Sequence, residues 1–138
     1  MGKINSRAKG KRSELEARDL LRRCGIHDAE RGARNGVKSG ADIYSPMLER
    51  LGWRVEVKNV ANMRIGNSLW YSACCQAEED AEKTGLKWFL LWRPCRGEWV
   101  LTYRDLEAEF GLPTIWGEPY ISKWIADTIT KGATSGEA

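Results

Sequence analysis

The run RVEVKNV, residues 54–60, sets Glu56 and Lys58 two apart, the spacing that puts two side chains on one face of a β-strand. By itself the run reads as an ordinary half-exposed strand. Arg54, Glu56 and Lys58 would face water, and Trp53, Val55 and Val57 would face a core. A second acid changes the chemistry within reach. The segment ADIYSP, residues 41–46, is also strand-like, and the intervening MLERLG predicts a hairpin. With the connection centred on Glu49, Asp42 falls opposite Glu56, where cross-strand Cβ atoms are about 5 Å apart. Two carboxylates at that distance repel each other, and a shared cation resolves the repulsion.

Hydrolysis of a phosphodiester needs charge neutralised on the phosphate, a water activated near neutral pH, and a leaving oxygen stabilised. Hard carboxylate oxygens suit Mg2+, with Mn2+ as a substitute; Mg2+ keeps several waters and takes one or two carboxylates beside a substrate phosphate. An ammonium such as that of Lys58 can lower the pKa of a water or stabilise the pentavalent state. Asp42, Glu56 and Lys58 supply that set.

The elements that must hold these residues follow from patterning. SELEARDLLRRCG predicts the first helix, opened by a Ser13–Glu16 capping box, closed at Gly25, and burying Ala17, Leu20, Leu21 and Cys24. Residues 26–40 are polar and glycine-punctuated, a short strand and a loop whose Arg31, Arg34 and Lys38 could embrace a nucleic-acid backbone. A second helix runs from Asn67 or Ser68 to Gly85, with Trp70, Ala73, Cys74, Ala77 and Ala81 inward and Glu78, Glu79, Asp80 and Glu82 on a solvated face. KWFLLWRP and EWVLTYR predict two further strands, with Trp70, Trp88 and Trp92 in the core. Arg93 and Arg96, near the turn between them, suit either a phosphate or open solvent. A short helix is expected at DLEAEF. An amphipathic one is expected at PYISKWIADTIT, with Ile121, Trp124, Ile125 and Ile129 on one stripe. The order describes an α/β sheet domain.

Bulk composition narrows the classes. The 138 residues are enough for one domain; with 42% hydrophobic and 30% charged residues, the chain should fold. The lone His27 and the unpaired spacing of Cys24, Cys74, Cys75 and Cys95 speak against a zinc centre and against Ser-His or Cys-His catalysis. No apolar run is long enough for a membrane span, so a cytoplasmic protein with no membrane partner is expected. Net charge is only +3, yet residues 1–38 carry a surplus of Lys and Arg, including Lys9, Lys11 and Arg12, which suits phosphate binding.

GAD at 40–42 and EVK at 56–58, preceded by KGKRSELEARDLL and followed by LWYSACCQAEEDA, resemble the PD-(D/E)xK nuclease superfamily. Within it the chain is similar to archaeal-type Holliday-junction resolvases and to PD-(D/E)xK endonucleases encoded in bacteriophage genomes. The resemblance covers roughly residues 9 to 106. It implies a restriction-endonuclease-like core, a Mg2+-dependent structure-selective DNA endonuclease activity, and Asp42, Glu56 and the Val57 carbonyl as metal ligands with Lys58 as the catalytic lysine. It also implies a glutamate on the first helix four residues after a glycine, a spacing that Gly10 and Glu14 have. Glu16 is the competing choice. Glu14 is preferred because it borders the buried stripe, whereas Glu16 lies farther round and has a role as the capping partner of Ser13. Alanine precedes Asp42 where the family commonly has proline, Ser39 is the counterpart of a serine that archaeal resolvases carry between the first helix and the acidic hairpin and is counted with the DNA-binding residues, and Gln76 matches an accessory glutamine. A duplex-cutting restriction or repair enzyme and a non-catalytic nucleic-acid-binding module share these features.

The expected organisation is a basic flexible arm at 1–8, a nuclease domain at 9–112, a helical addition at 113–131 and a disordered tail at 132–138. Resolving a junction needs two symmetric cuts, so a homodimer is expected. Trp116, Tyr120, Ile121, Trp124 and Ile125 offer an interface, unless the same helix folds back over the chain's own sheet.

Overall fold

The computed structural model describes residues 6–32, 41–94, 97–105 and 111–135. Helix α1 spans Ser6–Arg23, and strands β1 (Glu30–Arg31) and β2 (Ile43–Tyr44) follow. A short helix α2 (Pro46–Arg50) leads to β3 (Trp53–Asn59), then come α3 (Ser68–Thr84), β4 (Lys87–Arg93), β5 (Val100–Tyr103), β6 (Thr114–Trp116) and α4 (Glu118–Ser135). The six strands form one mixed sheet in sequence order; β3 and β4 run parallel and every other neighbouring pair is antiparallel. A parallel pair needs a crossover, which α3 supplies. The α/β class and the order helix, three strands, helix, strands are therefore as expected.

Alternation along β3 and β4 divides the core between two faces. Val55, Val57, Phe89 and Leu91 pack with Leu20 and Leu21 of α1, Leu48 of α2, and Ile121 and Ile125 of α4. On the other face Trp88, Leu90 and Trp92 pack with Trp70, Ala73, Cys74, Ala77 and Ala81 of α3. Helix α3 starts where the Asn67 side chain accepts from the Trp70 N–H at 3.0 Å, and it stops at Gly85, whose φ of 72° is the left-handed conformation that glycine adopts without strain.

Several boundaries differ from the sequence reading. Helix α1 already includes residues 6–8, assigned to the arm, and Ser13 is no cap. It lies inside the helix, 4% exposed, and its hydroxyl accepts from Asn59 Nδ2 at 2.9 Å. Glu16, freed from a capping role, pairs with Arg93 at the end of β4, and Arg93 also lies over the Trp99 ring, so its charge is used within the fold. The connection from β2 to β3 is helix α2 rather than a tight turn. Ser45 caps it, accepting from the Leu48 N–H at 3.0 Å, and Asp28 takes the Ser45 hydroxyl at 2.6 Å and the Met47 N–H at 2.8 Å. Glu78 is half-buried rather than solvated, bound by Arg104 at 3.0 Å and by the Trp88 indole N–H. Those donors outweigh burial, which acts to raise its pKa, and hold the carboxyl below its ordinary value. All of the expected DLEAEF helix except Asp105, and Arg96, fall outside the described residues.

The C-terminal segment is part of the layered body. Strand β6 extends the sheet, and α4 continues to Ser135, through most of the segment expected to be a disordered tail. Ile121 and Ile125 are 0% and 1% exposed, and the Trp124 ring meets Trp53 and Phe89 edge-on, each at 5.4 Å. The stripe offered for a dimer thus covers the chain's own sheet, leaving Trp116 and Tyr120 exposed. Ile121→Ala is accordingly expected to lower unfolding free energy by about 2–5 kcal/mol in denaturant titration. A change under about 0.5 kcal/mol would mean that α4 is not packed on the sheet. Among the described residues no helix is long and apolar enough to cross a membrane.

Candidate active site

Ile43 of β2 pairs with Val55 of β3, the register that sets Asp42 opposite Glu56. Asp42 lies just before β2, and its Oδ2 accepts the Val57 backbone N–H at 2.8 Å, taking a place that the neighbouring strand would otherwise fill. In a strand the N–H and C=O of one residue project to the same side, so the Val57 carbonyl also points toward the Asp42 edge.

The Asp42 and Glu56 carboxyl groups are close enough across the β2–β3 register for each to feel the other's charge. Burial first, then the charge of Asp42 and the hydrogen bond shared with it, push the Glu56 carboxyl up to about 8, against the pull of Arg54. Without a cation, Glu56 therefore favours its protonated form far more than an isolated carboxyl does. A group whose folded pKa lies above its ordinary value of 4.5 stabilises the fold fully below 4.5, and that stability is lost as pH rises toward 8. The melting temperature of the metal-free protein is thus expected to fall between pH 5 and pH 8.5. Glu56→Gln should flatten that slope in a calorimetric pH series; an unchanged slope would locate the titration elsewhere.

Arg54 overturns the expectation of three solvated charges on β3. It is 2% exposed, covered by α3, with Nη2 at 2.6 Å and Nε at 3.1 Å from Glu56 Oε1 and Nη1 at 3.1 Å from the Asp80 carbonyl oxygen. Sequence reasoning missed its role; the available signal was that it shares the face of β3 on which Glu56 lies. Lys58, one step farther along that face, is exposed.

A cleft of about 420 Å³ opens between the start of α1 and the end of β3, lined by Lys9, Gly10, Ser13, Glu14, Val57, Lys58, Asn59 and Val60. Glu14 and Lys58 thus share one cleft. The Glu14 carboxylate is held by Arg31, with Nη2 at 3.0 Å and Nε at 3.2 Å, so this DNA-binding candidate already serves an acid. Among the described residues no three His, Cys, Asp or Glu side chains cluster closely enough to share one metal ion, so Glu14 does not join the Asp42–Glu56 pair. Lys11 and Arg12 are exposed on α1 and Lys9 is half-buried at the cleft. Gln76 is exposed and donates to Asp80 Oδ1 at 3.1 Å. Arg34, Lys38 and Ser39 lie outside the described residues.

The donor set fits Mg2+ or Mn2+. Two carboxylates and one carbonyl are hard oxygens, few enough for an ion that retains waters, and neighbouring carboxyls that raise the cost of ionisation mark a place where a cation can take the proton's part. Comparison with known proteins finds no matching family model, no matching curated protein and no matching solved structure.

Proposed function

We propose that the chain is a Mg2+-dependent DNA endonuclease, selective for branched DNA in the manner of a phage or prophage Holliday-junction resolvase. The observation that carries this reading is the Asp42–Glu56 carboxyl pair, with Lys58 two residues along the same strand at the mouth of a cleft. The sheet order supports it, since one helix, three antiparallel strands and a helical crossover to a parallel strand is the core that the PD-(D/E)xK resemblance implies.

Asp42, Glu56 and the Val57 carbonyl would hold the metal. Once bound, the cation supplies charge neutralisation at the phosphate and a water of lowered pKa. The Val57 N–H fixes Asp42 in place for that task. Lys58, exposed on the face of β3 that also carries Glu56, would stabilise the charge that builds on the phosphate oxygens in the transition state. Lys9, Lys11 and Arg12 on α1 give the DNA backbone a basic approach, and Arg31 holds Glu14 on the cleft wall. These groups provide binding and charge stabilisation around one bond.

A duplex-cutting enzyme is the second reading, favoured by the burial of Ile121 and Ile125 within the chain, which removes them from a dimer surface. Purified protein should be incubated with labelled four-way junction, Y-shaped, duplex and single-stranded DNA in Mg2+. Preferential symmetric cutting of the junction supports the first reading, equal cutting of duplex the second, and cutting of none overturns both.

A further inference from the structure

We infer that Arg54 is a positioning residue that limits Glu56 to a single ligand oxygen and thereby favours a small octahedral cation over Ca2+; this rests on the metal site proposed above. A carboxylate has two oxygens with about four lone-pair positions in all. Arg54 places both Nε and Nη2 on the same one, Oε1, at 3.1 and 2.6 Å, and so fills it. Only Oε2 is left for a cation. The arrangement is braced, because the third guanidinium nitrogen, Nη1, donates to the Asp80 carbonyl oxygen of α3 at 3.1 Å, and Arg54 is 2% exposed beneath that helix. A lysine in this place offers no planar fork and cannot fix Oε1 and α3 together.

The consequence is ionic selectivity. Ca2+ takes about 6–8 oxygens and commonly binds a carboxylate through both; Mg2+ and Mn2+ are octahedral and accept one oxygen per carboxylate. With Oε1 withheld, Glu56 cannot chelate, and Ca2+ loses a ligand that Mn2+ does not need.

The test is calorimetric titration of Mn2+ and of Ca2+ into the DNA-free full-length protein, wild type and Arg54→Gln, with folding checked by thermal melting. The wild type is expected to bind Mn2+ at least about tenfold more tightly than Ca2+. Arg54→Gln should bring the two affinities to within about threefold by improving Ca2+ binding. Should Arg54→Gln not fold, Arg54→Lys, which keeps the charge and loses the fork, should show the same narrowing. Equal Mn2+ and Ca2+ affinities in the wild type, or an unchanged ratio in a folded variant, would overturn the inference while leaving the metal site standing. No divalent binding to the wild type would overturn both.

Discussion

Asp42→Asn should bring DNA cleavage in Mg2+ down to background while the protein stays folded and still binds DNA. The asparagine oxygen can still accept the Val57 N–H, so local structure is kept, and the repulsion between neighbouring acids disappears. What is lost is one anionic metal ligand. Glu56→Gln should behave in the same way, because glutamine stands in for the protonated carboxyl that the metal-free pair favours at neutral pH. DNA binding is expected to hold in both, since neither substitution adds negative charge or removes a cation that could meet phosphate. Cleavage assays beside gel-shift titrations check this, and full activity in either variant would remove the carboxyl pair from the mechanism.

Lys58→Ala is expected to lower turnover by about 10²–10³, the loss typical when one donor to a developing oxyanion is removed. Its affinity for DNA should change only a few-fold, because an exposed ammonium contributes one phosphate contact among several. Single-turnover kinetics at saturating protein separate the two quantities. If affinity fell as far as the rate, Lys58 would be an anchor for the backbone and the cleft would lack its transition-state donor.

Strand periodicity made the site's central geometry legible. The alternation of ADIYSP and WRVEVKNV gave the pairing of Ile43 with Val55, and so the meeting of Asp42 with Glu56, although the link between the strands is a capped helix and not a turn. Helix α3 was equally readable, since its small and aromatic residues recur at helical spacing between an Asn67 cap and Gly85. Other features depended on partners far away in sequence. Ser13 looked like a cap because the local pattern S-x-x-E carries no record of Asn59, which uses the hydroxyl instead. Arg54 looked solvated because charge on a strand usually is; only the packing of α3 over that face reveals a buried arginine. Strand β6 is three residues long and defined by its pairing with β5, so it carries no periodicity of its own. The same holds for Glu14, whose link to Arg31 joins a helix to an edge strand across a span that no short motif records.

The most direct measurement is cleavage of a labelled four-way junction by wild-type protein and by Asp42→Asn prepared in parallel, each in Mg2+ and in EDTA. Cleavage by the wild type in Mg2+, abolished by EDTA and absent from Asp42→Asn at equal concentration, is the predicted result. Cleavage that survives EDTA, or equal cleavage by the two proteins, would contradict a metal-dependent nuclease centred on Asp42 and Glu56.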